Sequence, residues 1–269
     1  MKSKISGGPT QEIFTAKVLN KYLVKYYQCL DTGFIQTEDP FWIEEAYSSA
    51  ITKLDVGLLS RNQMLCEQTG KIILTHFKNK GKFLDYAGGY GVFTRMMRDK
   101  GFDFYHTDKY CNNIFAEYFE VEPETHPKFE LVTAFEVFEH MIDPLTEIQR
   151  ILKFSDNLLF STELQPKTDI KNIDDWWYFI PETGQHVSLH TFNSLEFIAD
   201  KLGCKFYSNG RTLHIFTKTS LAANPFHERR LPFFIRKMKK IVDKYMSKQY
   251  VYPESLLQKD WEFIKQKLE

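Results

Sequence analysis

The stretch Phe83-Leu84-Asp85-Tyr86-Ala87-Gly88-Gly89-Tyr90-Gly91 predicts the end of a buried strand followed by a turn of small residues. Residues 92–100, directly after it, have a helical pattern. A strand, a glycine-rich turn and a helix N-terminus bring the backbone close to a ligand and direct free N–H groups at it. The stretch therefore predicts a ligand-binding cleft without naming the ligand.

Strand and helix patterns alternate after this turn. Residues 102–107 alternate like a second strand that ends at Asp108, and a weak third strand is expected within 119–122. Apolar runs at 130–135 and 157–162 predict the fourth and fifth strands. Helical patterns lie between and after them, including one at 114–119. This alternation is typical of a parallel sheet with helices on its faces.

The last strands follow a different pattern. Asn209-Gly210 is a hairpin signal between two strand-like runs at 205–207 and 213–216, so the final strand is predicted to be antiparallel. The sequence thus predicts an α/β fold with a Rossmann-like, mostly parallel twisted sheet and an antiparallel last strand. An N-terminal helical lid and a C-terminal helical extension complete it.

The N-terminal region predicts mixed structure. Short strands are expected within 13–34, and 40–77 has a helical pattern whose Tyr47 and Arg61 either reach a ligand or lie on a solvated helix surface. Residues 29–34 have the outline of a zinc knuckle, but Thr32 occupies the place of the second thiolate. We therefore expect a packed turn there and assign no metal ligand.

The C-terminal region predicts an amphipathic basic helix. Such a helix usually packs on its own domain, although peripheral contact with a membrane surface is an alternative. Its basic residues are Arg229, Arg230, Arg236, Lys237, Lys239, Lys240, Lys244 and Lys248. The chain is thus divided into an N-terminal knuckle and lid (1–78), a core domain (79–219) and a basic helical extension (220–269).

Composition narrows the class of protein. The 35 basic and 35 acidic side chains cancel, which does not favour nucleic acid as a partner. The four cysteines include no C-x-x-C pair, which argues against a disulfide framework and favours the reducing cytoplasm. No segment reaches the roughly 18 apolar residues of a membrane span. We therefore expect a cytoplasmic protein without a transmembrane segment.

Two phosphate-binding motifs fail at the glycine turn. A dinucleotide fingerprint needs a third glycine or an alanine where Thr94 stands, and the Gly-Lys-Ser/Thr of a P-loop is absent. Asp108, 17 residues after Gly91, is placed to accept hydrogen bonds from ribose hydroxyls, or else it caps the next helix.

These residues resemble the class I S-adenosylmethionine-dependent methyltransferases. Their first motif reads hydrophobic-Leu-Asp-x-Gly-x-Gly-x-Gly, and 83–91 follows it with Ala87 in place of the first glycine. The resemblance implies S-adenosylmethionine as cofactor, with the acid at the tip of the second strand on the ribose and residues after the fourth strand on the adenine. The implied cofactor-binding residues are Asp85, Tyr86, Ala87, Gly88, Gly89, Gly91, Asp108, Lys109, Phe135 and Glu136, with Tyr47 and Arg61 from the lid.

Two further segments extend the resemblance. Residues 135–144 resemble the family's EVxEHxxDP segment, and 184–191 resemble the GQHVxxxT loop of a bacterial branch associated with sugar and cell-surface polysaccharide methylation. The resemblance therefore implies a small polar acceptor, a sugar that is linked to a nucleotide or a polymer. It does not define the oligomeric state.

An acceptor that must lose a proton requires a general base. Histidine is suited to this because its reference pKa is near 6.5. His186, on the long loop at 163–190, is the first candidate, followed by His140 and His190, while a structural hydrogen bond is the alternative role for His186. On the same loop Trp176, Trp177 and Tyr178 either stack on a sugar ring or pack within the loop.

Three functions follow from the sequence. The first is methyl transfer to a small polar acceptor. The second is nucleic-acid methylation, which would need a basic face beside the cleft. The third is a non-catalytic interaction protein, which the departures at Ala87 and Thr32 leave open.

Overall fold

The computed structural model describes residues 1–48, 51–121, 128–226 and 250–268. Its strands are β1 (Thr10–Val18), β2 (Tyr22–Cys29), β3 (Ile35–Thr37), β4 (Lys82–Tyr86), β5 (Asp103–Thr107), β6 (Leu131–Phe135), β7 (Asn157–Ser161), β8 (Ser188–Leu189), β9 (Lys205–Ser208) and β10 (Leu213–Thr217). Its α-helices are α1 (Ile43–Ala46), α2 (Leu58–His76), α3 (Val92–Asp99), α4 (Pro144–Ile151), α5 (Phe192–Lys201) and α6 (Leu257–Leu268).

The main sheet has the strand order β5-β4-β6-β7-β10-β9 within the described part of the chain. Strand β4 is parallel to β5 and β6, β6 is parallel to β7, and β10 is antiparallel to both of its neighbours. The predicted mixed α/β fold with an antiparallel last strand is therefore confirmed. The carboxyl ends of β4, β5 and β6 lie at one edge of this sheet, which is where such folds bind ligands.

Helices cover both faces of the main sheet. On one face α2 and α3 pack Leu65, Ile73 and Met97 against Phe83 and Phe104 of the sheet. On the other face apolar side chains of α4 and α5 pack against β6, β7 and β10. Fully buried strands explain why their sequences read as continuous apolar runs rather than alternating ones.

The N-terminal region differs from the predicted knuckle and helical lid. Strands β1 and β2 are long and antiparallel, and together with β3 and β8 they form a second sheet in the order β1-β2-β3-β8. Helix α2 packs on the main sheet rather than over the cleft. The helical lid is thus reduced to α1 and the segment that leads into α2. The division of the chain at residue 78 stays a prediction.

The knuckle-like segment is a packed turn between β2 and β3. Cys29 is a buried free thiol, and the Phe34 N–H donates to the Thr32 hydroxyl at 3.3 Å. Thr191 donates to the Thr32 carbonyl oxygen at 2.6 Å, so the turn is attached to the start of α5.

The segment 113–120 is not the predicted helix. The N–H groups of Ile114 and Phe115 both donate to the Tyr90 carbonyl oxygen at 3.0 Å, which draws them out of a helical ladder. Asn113 accepts from the Ala116 N–H at 2.9 Å. The segment is therefore hydrogen-bonded to the glycine turn through the Tyr90 carbonyl oxygen and helps to hold the turn in place.

Helix α6 is attached to the core by a buried ion pair. Arg98 donates from Nε and Nη2 to the two carboxylate oxygens of Asp260, each at 2.8 Å, and its side chain is 6% exposed against 4% for Asp260. Arg98 also donates to Asp103 and to the Phe104 carbonyl oxygen, both at 2.7 Å. The predicted basic helix lies almost entirely outside the described residues. Among the described helices, none has the length and apolar content needed to cross a membrane.

Replacing Asp260 by alanine should lower the free energy of unfolding by about 3 kcal/mol, because it removes one partner of a buried charge. Urea denaturation measures the loss. The control is Glu262→Ala on the exposed side of the same helix, where a change below about 0.5 kcal/mol is expected. Equal losses in the two variants would contradict the role given to the buried pair.

Candidate active site

A cleft of about 1050 Å³ lies at the carboxyl ends of β4, β5 and β6. The glycine turn forms its floor, α1 and the start of α2 lie on one side, and the loop before β8 lies on the other. Every residue that the sequence nominated for cofactor binding lines this cleft except Gly91, which lies directly behind it at the start of α3.

The glycine turn depends on backbone conformations that few residues adopt. Gly89 and Gly91 have φ of 59° and 83°, and Ala87 takes 55°. A Cβ atom at Gly88 would lie 2.4 Å from an Asp85 carboxylate oxygen, and one at Gly91 would lie 2.2 Å from the Asn113 side chain. The turn thus requires glycine at 88 and 91. Alanine at 87 costs strain but does not change the path of the chain.

Asp85 organises the turn from below. Its carboxylate is buried and accepts hydrogen bonds from Thr133 at 2.9 Å and from Thr94 at 3.1 Å. Burial is the main cause that raises the pKa of Asp85 to about 6. Thr94, which broke the dinucleotide fingerprint, therefore holds the acid of the first motif.

Asp108 lies at the tip of β5 and faces the glycine turn. Its carboxylate accepts from the Gly89 N–H at 2.9 Å, from the Tyr110 N–H at 2.7 Å and from the Cys111 N–H at 2.8 Å. A carboxylate offers about four acceptor positions. One position therefore remains for a ligand hydroxyl, and the backbone bonds fix where it points.

The lid side of the cleft is formed by stacked tyrosine rings and one arginine–aspartate ion pair. Tyr47 stacks on Tyr110 with ring centroids 4.6 Å apart, and Lys109 lies over the same Tyr110 ring. Arg61 donates to both carboxylate oxygens of Asp55, at 3.0 and 2.7 Å. Tyr47 and Arg61 thus line the cleft as predicted, with Arg61 held by Asp55.

The end of β6 carries a strained acid. Glu136 has a φ of 54°, and it exchanges two hydrogen bonds with Ser161: its N–H donates to the hydroxyl at 2.8 Å, and the hydroxyl donates to its carboxylate at 2.6 Å. Burial is the main cause that raises the pKa of Glu136 to about 7. Phe135, beside it, packs edge-on against Phe93 of α3.

His140 and His186 meet across the cleft, with ring centroids 5.0 Å apart. His140 Nδ1 lies 3.1 Å from the Gln185 carbonyl oxygen, and His186 Nδ1 lies 2.6 Å from that of Tyr178. A carbonyl oxygen only accepts, so each Nδ1 carries the proton and each Nε2 keeps its lone pair. Burial lowers the pKa of His140 to about 4 and that of His186 to about 3, so both rings are neutral at pH 7.

His190 is not in the cleft, and its nomination as a catalytic base is wrong. Its ring is fully buried between Phe34 and Phe138, with centroid distances of 5.0 and 5.9 Å, and its Nδ1 lies 3.4 Å from the Ser194 hydroxyl. His190 lies between β8, which ends at residue 189, and α5, and its ring is packed into the core cluster that holds Phe34 and Phe138.

The aromatic residues of the long loop divide into two groups. Trp176 is buried with Phe179 in the core of the N-terminal sheet, whereas Trp177 is 66% exposed at the cleft. Tyr178 lines the cleft while remaining buried. Trp177 is therefore the ring that is available to stack on a ligand.

Comparison with known families now becomes informative. A methyltransferase-domain family matches residues 60–209, which is more than half of the chain. The chain belongs to this family of S-adenosylmethionine-dependent methyltransferases. The match begins near the start of α2, in agreement with the packing of that helix on the main sheet. No curated protein matches the chain.

Solved methyltransferase structures are similar to this chain at low sequence identity. An O-methyltransferase family protein from Burkholderia thailandensis is 12% identical, with 59% of this chain and 56% of that chain covered and a TM-score of 0.42. An O-methyltransferase family 2 protein from Planctomyces limnophilus in complex with apigenin is 12% identical, with 65% of this chain and 66% of that chain covered and a TM-score of 0.41. The plantazolicin methyltransferase BpumL in complex with SAH is 10% identical, with 66% of this chain and 91% of that chain covered and a TM-score of 0.44. The chain thus spans little more than half the length of the Burkholderia protein.

The residues present fit S-adenosylmethionine. The floor of the cleft at Gly88 and Gly89 is bare backbone, and Asp108 beside it has one acceptor position free. Bare backbone and a free carboxylate acceptor at the carboxyl ends of β4 and β5 suit a ligand that carries ribose hydroxyls.

One functional residue was missed from the sequence. Glu139 follows Glu136 in the EVxEH segment and lines the cleft, yet it was given no role. Its carboxylate is fully buried, 3.9 Å from His140 Nε2. The motif itself was the available signal, but only the fold shows that this acid points inward.

Asp85 should make stability depend on pH. Its folded pKa of about 6 exceeds the unfolded value, so its contribution to stability is complete below about pH 4 and is lost as pH rises through 6. The wild-type protein should therefore lose on the order of 1–3 kcal/mol of its free energy of unfolding between pH 4 and 7, and Asp85→Asn should not show this loss. Urea unfolding at four pH values measures it.

The control for this experiment is Asp200→Asn, on the exposed side of α5. It should follow the wild-type profile. Parallel profiles for wild type and Asp85→Asn would contradict the assignment of a buried, proton-binding carboxylate at the turn.

Proposed function

We propose that the methyltransferase transfers a methyl group from S-adenosylmethionine to a hydroxyl of a small polar acceptor, a sugar linked to a nucleotide or a polymer as in cell-surface polysaccharide biosynthesis. The observation that carries this proposal is that the glycine cradle and two neutral histidines with free Nε2 lone pairs share one cleft. A cofactor pocket thus lies beside groups that can accept a proton.

The cofactor half of the cleft is assigned to the floor and the lid. Asp108 would accept from the ribose, while Phe135 and Glu136 at the end of β6 would contact the adenine. S-adenosylmethionine, when bound, supplies an electrophilic methyl group, which bonds to the acceptor oxygen as the bond to sulfur breaks with its electron pair on sulfur. Lys109, Tyr47 and Arg61 close this half from the lid side.

The acceptor half is assigned to the loop before β8. The volume of about 1050 Å³ exceeds that of a pocket for one drug-sized ligand, so a cofactor and an acceptor fit together. Trp177 offers an exposed ring at the rim, which suits stacking on a sugar. The cytoplasmic location and membrane contact through the basic C-terminal helix stay predictions.

His186 is the proposed base. Its Nδ1–H donates to the Tyr178 carbonyl oxygen at 2.6 Å, which fixes the ring and leaves Nε2 to take the hydroxyl proton of the acceptor. A hydroxyl must lose this proton, whereas a neutral amine already carries a free lone pair. A base at this position therefore favours an oxygen acceptor, or a carbon next to a carbonyl, over an amine.

Asp108→Asn should weaken the affinity for S-adenosylmethionine and for its demethylated product at least tenfold, because an amide nitrogen cannot accept the hydrogen bonds that the carboxylate accepts. Isothermal titration calorimetry measures both affinities. Asp99→Asn, at the far end of α3, is the control and should bind like wild type. Failure of the wild type to bind at high micromolar cofactor would refute the cofactor assignment, and unchanged binding by Asp108→Asn would refute the ribose role.

His186→Ala should reduce methyl transfer by about 100-fold or more while the cofactor affinity stays within twofold, because general-base catalysis contributes about 10²–10⁴. Formation of the demethylated cofactor is followed with a panel of nucleotide-linked sugars as acceptors. The control is His76→Ala at the end of α2, away from the cleft. Full turnover in His186→Ala would remove His186 from the chemistry.

A further inference from the structure

Three potential metal ligands converge in the acceptor half of the cleft. Glu139, His140 and His186 each offer one ligand atom, and these atoms lie within 4.8 Å of one another among the described residues. Two imidazoles and one carboxylate are a common ligand set for divalent transition metals.

Both histidines are oriented as metal ligands usually are. A ligating histidine normally donates its other ring N–H to a carbonyl or carboxylate oxygen, which fixes the ring and its tautomer. His140 does so to Gln185 and His186 to Tyr178, at 3.1 and 2.6 Å. Each Nε2 is therefore the atom that remains for a cation.

Glu139 has no hydrogen-bond partner of normal geometry within the described part of the chain. Its side chain is fully buried, and neither carboxylate oxygen is paired. The hydroxyls of Tyr178 and Thr162 interact with this carboxylate, but they are neutral groups and leave its charge uncompensated. Burying an ionised carboxylate in this way is unfavourable unless a proton or a cation neutralises it.

Nearby positive charge does not meet this need. Arg61 acts electrostatically on both Glu136 and Glu139, but its guanidinium already forms a two-bond ion pair with Asp55. A divalent ion would supply the missing charge.

The backbone holds the three side chains in place. Glu139 and His140 lie on a short 3-10 turn, Phe138–His140, that follows β6. The Val187 N–H donates to the Glu139 carbonyl oxygen at 2.9 Å, and the Ser188 hydroxyl donates to the Met141 carbonyl oxygen at 2.6 Å. The loop that carries His186 is thus attached directly to the turn that carries the other two ligands.

We propose that Glu139, His140 and His186 bind a divalent transition-metal ion such as Mn²⁺, Fe²⁺, Co²⁺ or Zn²⁺, with its open coordination positions facing the acceptor. Two imidazole ligands favour these ions over Mg²⁺ and Ca²⁺. The sequence pattern predicted no metal ligand, because Glu139 and His140 are neighbours in a methyltransferase-like motif while His186 lies far along the chain, and none of them belongs to the cysteine segment.

The catalytic meaning of the site rests on the proposed function. A cation beside the acceptor hydroxyl would lower the pKa of that hydroxyl, so that its proton could pass to solvent. His186 would then act as a ligand and not as the base, since its Nε2 has a single lone pair. His186 is therefore either a metal ligand or the general base, and a measurement of metal binding distinguishes the two roles.

The test is metal binding by the full chain without an affinity tag. Protein treated with a chelator and then dialysed is titrated with Co²⁺, followed by its visible absorption and by calorimetry. We expect one Co²⁺ per chain, and at least tenfold weaker binding in Glu139→Gln, His140→Gln and His186→Gln. His76→Gln, outside the cleft, should bind like wild type, and circular dichroism reports whether each variant is folded.

A second measurement needs no variant. Wild-type protein is loaded with Zn²⁺, and its X-ray absorption at the zinc edge should show two imidazole ligands. Absence of stoichiometric binding, a spectrum without imidazole, or unchanged binding in all three folded variants would overturn the proposal. Titration of metal-free protein with S-adenosylmethionine tests the proposed function separately. Cofactor binding without metal binding supports the proposed function and refutes the metal site. Metal binding without cofactor binding supports the metal site and refutes the proposed function.

Discussion

The cleft depends on the Asp108 carboxylate, which accepts three backbone N–H groups at the tip of β5. One of these belongs to Gly89, so the acid and the glycine turn are fixed relative to each other. A turn with left-handed backbone at the alternate positions 87, 89 and 91 would otherwise have several paths open to it. The hydrogen bond selects one path, and it leaves bare backbone at the cleft floor and one free acceptor position on Asp108.

The second half of the cleft depends on pairing between distant parts of the chain. Strand β8 of the long loop pairs with β3, so the N-terminal sheet holds the loop that carries Trp177, Tyr178 and His186. Gln185 donates to the Ala46 carbonyl oxygen at 2.9 Å and joins the same loop to α1. The N-terminal region therefore holds one wall of the cleft in place and is not a cover added to a finished domain.

The sequence predicted what local pattern and spacing control. Buried parallel strands and the glycine turn followed from periodicity, and the position of Asp108 beside that turn followed from its distance from Gly91; its ribose role stays a prediction. The N-terminal sheet did not, because Ile35 pairs with Leu189 across most of the chain. The helix predicted at 114–119 failed because a tertiary acceptor, the Tyr90 carbonyl oxygen, takes its N–H groups. His190 and His186 looked equivalent in sequence, and only packing against Phe34 and Phe138 separates them.

The polar groups at the end of β6 are the most costly part of the structure to bury. Glu136 is held in a left-handed conformation by Ser161, and Glu139 lies three residues later without a hydrogen-bond partner among the described residues. Strain and unpaired polarity of this kind persist where function requires them. Glu139 lies beside His140, and the protons of His140 and His186 are already donated to backbone oxygens. The two Nε2 atoms and the Glu139 carboxylate are therefore acceptor atoms, and a ligand that binds all three has to bring either a proton or a positive charge.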